Sequence, residues 1–182
     1  MNTTVTVIDS TLEGEKGVIE GDGNLAVAIQ NSTITSASEI VDCQVNTKID
    51  ISKESKIHSD AVAFPLGTNA EIAIDHSTVE GTLGAIEFKV NGHVKLTGGA
   101  VVKSDGPAIA LTQNGNLTIT GSRVESKTEA IHAGNNVEGT LRGAVLVGPR
   151  GALEVETGRL TLAQTTLNGP KKIGPNARID ER

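Results

Sequence analysis

Apolar and polar residues alternate in short bursts along the chain, and the bursts return at a nearly fixed distance. Val5 and Val7 flank Thr6, and the same apolar pair recurs as Val27/Ile29, Ile49/Ile51, Ile72/Ile74, Val94/Leu96 and Leu117/Ile119. A weaker copy, Gly139/Leu141, precedes the full pair Leu160/Leu162. A second burst carries one aliphatic column: Leu12, Ile34, Ile57, Val79, Val102, Val124, Leu146 and Leu167. A third runs Ile19, Val41, Phe64, Ile86, Ile109, Ile131 and Leu153, each followed two residues later by Gly21, Cys43, Leu66, Phe88, Leu111, Ala133 or Val155. Apolar positions spaced by two lie on one side of a strand, whereas a helix would space them by three and four. Each unit therefore predicts three short strands separated by turns.

Asparagine marks the period. It stands at Asn2, Asn24, Asn46, Asn69, Asn91, Asn114 and Asn136, with Gly158 in the next slot, at steps of 22 or 23 residues. Small residues (Ser10, Ser32, Ser55, Ser77, Ala100, Ser122, Ala144, Thr165) and a Gly/Ser column beginning at Gly14 and Ser36 move in the same steps. A single strand cannot bury its apolar side alone, but coils stacked in register bury it against their neighbours. Equivalent residues then lie one strand spacing apart, about 4.8 Å. The expected fold is all-β: a parallel β-solenoid of about eight coils over residues 1–169, with a C-terminal cap or tail at 170–182.

The coil length and the asparagine column resemble the right-handed parallel β-helix, the pectate-lyase-like superfold. The resemblance implies a right-handed, single-chain coil and an asparagine ladder at one tight turn. Asn tolerates the left-handed backbone such a turn needs, and stacked amides can bond along the column. The match concerns fold. Function is not implied by it, because one fold hosts many functions.

Composition agrees with a narrow core. Only two Phe and no Trp or Tyr are present, so Val, Ile, Leu and Ala must fill the interior. A net charge of −6, with no Lys/Arg cluster before the C-terminal end, argues against a nucleic-acid partner. No apolar run is long enough to span a membrane, and the first residues lack the features of a signal peptide. The lone Cys43 falls in an inward column and reads as a buried filler.

Knowing which positions point inward also assigns the outward ones. On strand one Lys48, Glu71, His93 and Asn116 form a column, and on strand two His58, Glu80, Lys103 and Glu125 form another; both read as solvated charge ladders. On strand three Glu20 and Asp42 are neighbours, the kind of carboxylate pair used in glycoside chemistry. No coil has room for a loop that would build a cleft around them, so no catalytic residue, cofactor or metal is assigned. The four histidines fall in separate columns. An outward Thr column (Thr6, Thr118, Thr140, Thr161) is interrupted by Ala28, Asp50, Ala73 and Lys95, which does not make an ice-binding face.

Two contact surfaces are expected. One is an outward valine group, Val101, Val145 and Val147. The other is the first coil, where Val5 and Val7 belong to a strand edge with no helix ahead of it. Pro170 and Pro175 should blunt the opposite edge. The leading functional expectation is a non-catalytic spacer or scaffold that pairs as a homodimer through its first coil or joins other domains of a longer chain. The alternatives are a polysaccharide-binding or polysaccharide-processing domain and a filament-forming unit.

Overall fold

The computed structural model describes residues 2–182. It contains strands and turns and, among the described residues, no helix. Strands one of successive coils pair in parallel and in the register the repeat predicts: Val5 lies on Val27, Val27 on Ile49, Ile49 on Ile72, and Ile72 on Val94. Strands two stack as a separate eight-stranded sheet, with Leu12 on Ile34 and Val79 on Val102. Strands three begin as a short two-stranded sheet, Ile19–Glu20 on Val41–Asp42. From the middle coils onward some run directly into the next strand one, giving the 14-residue strands Val62–Asp75 and Gly84–Thr97. The protein is a parallel β-solenoid of about eight turns.

The core is the set of inward columns. Ile49, Ile72, Val79, Ile109, Leu117 and Leu160 have no exposed surface. Only three core residues exceed 2% exposure: Val7, Ile19 and Leu162, at 8%, 7% and 5%. All three belong to the outermost coils, where a column has a neighbour on one side only or lies beneath the last layer. Cys43 is buried as expected, its thiol directed at the Val45 carbonyl.

Two columns of left-handed residues turn the chain. The first is the asparagine column: Asn24, Asn46, Asn69, Asn91, Asn114 and Asn136 have φ between 51° and 55°. The second went unnoticed in the sequence because its residue types vary. Asp9, Asn31, Glu54, His76, Gly121, Gly143 and Gln164 all have positive φ, each just before the small-residue column. Asn, Asp and Gly adopt this conformation at least cost, so their recurrence immediately ahead of that column was the available signal. Coils three and five insert one more residue here. Lys53–Glu54 and Gly98–Gly99 both carry positive φ at successive positions, and the Ala100 amide closes the second turn on the Thr97 carbonyl.

The small-residue column is more than a space requirement. The Ser10 amide donates to Ser32 Oγ, the Ser32 amide to Ser55 Oγ and the Ser55 amide to Ser77 Oγ, at 3.1–3.3 Å. Each of these hydroxyls also donates to a carbonyl two or three residues back in its own coil, for example Ser77 to Asp75. The run stops at Ala100, which has no hydroxyl.

Residues 170–182 extend the stack. Lys171–Glu181 forms a strand parallel to Gly151–Ala163, with Lys171 on Leu153, Ile173 on Val155, Ile179 on Leu160 and Glu181 on Leu162. The register shifts near Pro175, between Val155 and Thr157 of the partner strand. Two inward columns that are aliphatic elsewhere thus meet Lys171 and Glu181 here, while two others meet Ile173 and Ile179.

Candidate functional site

The asparagine ladder is real as a bonded chain. Asn46 Nδ2 donates to Asn24 Oδ1, Asn69 to Asn46, Asn91 to Asn69, Asn114 to Asn91 and Asn136 to Asn114, over 2.7–3.2 Å. Asn2 makes no such bond, so the ladder has five links from Asn24 to Asn136. At Gly158 a side chain would meet the Val137 carbonyl at 2.0 Å, which explains the loss of asparagine there. A short second ladder, Asn31 Nδ2 to Asp9 Oδ1 at 2.7 Å, stands at the other left-handed corner.

The charge columns are partly realised as ion pairs. Lys48 lies 3.8 Å from Glu71, and Lys103 lies 3.8 Å from Glu125, which also pairs with Arg123. Glu20 and Asp42 are cross-strand neighbours, and Asp42 accepts a bond from Gln44 Nε2 at 3.1 Å. With Gly21 and Asp22 they line a shallow open depression. Three of the four histidines pair locally: His58 with Asp60 at 3.2 Å, His76 with Asp75 at 2.8 Å, and His132 with Glu154 and Glu156 at 3.9 and 3.8 Å. Among the described residues no three His, Cys, Asp or Glu converge on a point that would hold a metal ion. No helix there is long and apolar enough to cross a membrane.

Three carboxylates are perturbed. The Thr97 hydroxyl and then His76 hold Asp75 below the ordinary Asp range. Ser38 does the same for Glu39, and the guanidinium groups of Arg159 and Arg178 for Asp180. Each carboxylate is satisfied by a structural partner rather than poised over a cleft.

The valine group is divided. Val101 pairs with Arg123 and Arg123 with Val145, so an arginine separates the two valines in their column. Val145 and Val147 remain adjacent on the strand Val145–Val147, both half-buried. The first coil differs. Val5 and Leu12 are half-buried against the core, and the strand Thr3–Ile8 has one neighbour.

The ends also differ in charge, a contrast the whole-chain total conceals. Residues 2–23 hold Asp9, Glu13, Glu15, Glu20 and Asp22 against Lys16 alone. Residues 159–182 hold Arg159, Lys171, Lys172, Arg178 and Arg182 against Asp180 and Glu181. Counting charge by coil would have exposed this in the sequence.

Fold and surface together define a parallel β-solenoid with bonded asparagine and serine columns and mainly flat outer faces. Comparison of the chain with family models, curated proteins and solved structures found no match.

Proposed function

We propose that the chain is a rigid structural module, a spacer or scaffold whose role is to hold surfaces at a fixed separation. The observation that carries this reading is the uninterrupted register: strand-one residues stack from Val5 to Ile179 without an inserted loop domain. Stacking at the strand spacing gives a rod about 40 Å long. Long-range parallel pairing resists bending, because any bend must break ladder bonds and open apolar columns together. A filament-forming unit is disfavoured by the charged residues at two inward positions of the strand Lys171–Glu181.

Small-angle scattering from the purified chain should give an elongated particle of constant cross-section. The competing polysaccharide reading is tested in parallel by incubating the protein with pectin and alginate, with and without calcium. Turnover that disappears in Glu20→Gln or Asp42→Asn would replace the scaffold reading with an enzymatic one.

A further inference from the structure

We infer that Asn91 and Asn114 are latent deamidation sites, and that the hydrogen-bonded asparagine ladder holds them unreactive. The chain has three Asn–Gly steps, and two of them, Asn91–Gly92 and Asn114–Gly115, fall in the ladder. Both glycines are there for packing. A Cβ at Gly92 would collide with the ring of Phe88, and one at Gly115 would lie 3.0–3.3 Å from the side chain of Leu111. Phe88 and Leu111 are buried inward residues on the other side of the asparagine turn. Where that inward residue is small, the residue after the asparagine is large: Gly21 goes with Leu25 and Ala133 with Val137. A close-packed interior thus places glycine directly after asparagine in the two coils that carry Phe88 and Leu111.

The result is a reactive dipeptide. Glycine has no side chain to shield its peptide nitrogen, which can attack Cγ of the preceding asparagine. The new N–Cγ bond closes a succinimide ring as the Cγ–Nδ2 bond breaks, and the peptide proton leaves with the amide nitrogen as ammonia. Water then opens the ring at either carbonyl, giving aspartate or isoaspartate. Nothing is oxidised or reduced.

Exclusion of water does not protect these sites, since Asn114 is exposed and Asn91 only half-buried. Geometry does. Cyclisation needs the side chain to fold back over the following peptide until Cγ and N come into attacking contact. In the ladder each amide is committed in both directions along the stack. Asn91 Nδ2 donates to Asn69 Oδ1 at 2.7 Å, while Asn91 Oδ1 accepts from Asn114 Nδ2 at 3.2 Å. Asn114 Oδ1 accepts in turn from Asn136 Nδ2 at 3.0 Å. The backbone is held as well, at φ 55° for Asn91 and 52° for Asn114. Folding either side chain back breaks both of its ladder bonds, so reaction waits on a local opening. An aspartate at position 114 would still accept from Asn136 but could not donate to Asn91, leaving two oxygens face to face. The ladder therefore protects the amides of which it is made.

The test incubates the full chain at mildly alkaline pH, in buffer and in enough urea to unfold it, and follows each site by peptide mapping and mass spectrometry. In buffer Asn91 and Asn114 should convert at least about tenfold more slowly than in urea, as reaction through a local opening requires. Two variants separate the ladder from stability at large. Asn136→Gly keeps the left-handed backbone and removes the donor to Asn114 Oδ1. It should speed conversion at Asn114 about threefold or more and leave Asn91 unchanged. Asn69→Gly removes the acceptor for Asn91 Nδ2 and should speed Asn91 alone by a similar factor. Equal rates in buffer and urea, no acceleration in either variant, or equal acceleration of both sites in both variants would each overturn the inference.

Discussion

The first and last layers occupy the same register and solve different problems. In the first, inward positions are Val5, Val7, Leu12 and Ile19, and the surrounding charge is acidic. In the last, inward positions include Lys171 and Glu181 beside Ile173 and Ile179, and the surrounding charge is basic. Between them, inward positions are stacked mainly on apolar residues on both sides. The contrast shows that one backbone register accepts apolar and charged residues alike at inward positions. A lysine–glutamate pair at inward positions fits the backbone register without disturbing the strand and offers no apolar neighbour.

The largest effect should come from moving an inward charge between layers. Val79→Lys buries an ammonium where no surface is exposed, and should cost at least about 4 kcal/mol or prevent folding. Val5→Lys places the same charge at a half-buried end, where the stem can lie on the core and the head can reach water. About 1 kcal/mol is expected there. Urea denaturation at unchanged slope measures both. Equal costs would mean that the end is as closed as the middle.

The asparagine ladder gives a smaller, position-dependent effect. Asn69→Ala removes bonds to Asn46 and Asn91 and forces alanine into a left-handed backbone, about 2 kcal/mol together. Asn69→Gly retains the backbone and should recover roughly half of this. Asn2→Ala should be nearly neutral, since Asn2 lies outside the bonded column. A measurable cost at Asn2 would extend the ladder into the first coil.

What the sequence disclosed follows from how locally each feature is written. Period-two alternation located all three strand sets, and the asparagine step fixed the register, because identical residues at equivalent turns repeat visibly. The second left-handed column was hidden because Asp, Asn, Glu, His, Gly and Gln all fill it. The serine column read as a volume requirement, since an amide-to-hydroxyl bond between coils leaves no mark beyond a recurring small residue. Val101, Val145 and Val147 looked like one group until the register placed Arg123 between two of them. Residues 170–182 looked irregular because charged residues at inward positions erase the apolar alternation while preserving the strand.

Removing the inward charges should make the last layer more like the first. Lys171→Leu combined with Glu181→Leu replaces an exposed ion pair by apolar side chains over Leu153 and Leu162. The monomer should change by less than about 1 kcal/mol, as expected for an exposed pair. Light scattering should nonetheless show concentration-dependent association absent from the native chain. A variant that stays monomeric at all concentrations would show that the inward ion pair does not keep copies of the chain apart.

The smallest effect concerns how the last layer is fastened. Asp180 accepts bonds from Arg159 Nε at 2.7 Å and Arg178 Nε at 2.8 Å, which hold its carboxyl below the ordinary Asp value. A carboxylate with a depressed folded value stabilises fully above its unfolded value, about 4, and loses that contribution as pH falls through the folded value. The first coil has no carboxylate–arginine pair of this kind among the described residues. Acid should therefore loosen the last layer before the first. Protection factors of the last-layer amides, including Arg182, which donates to Leu162, should fall below pH 4 while that of Thr3, bonded to Asn24, holds. Asp180→Asn should remove the pH dependence of the last-layer protection and lower it slightly at neutral pH. Simultaneous loss at both ends, or an unchanged profile in Asp180→Asn, would show that the arginine pair does not fasten the final strand.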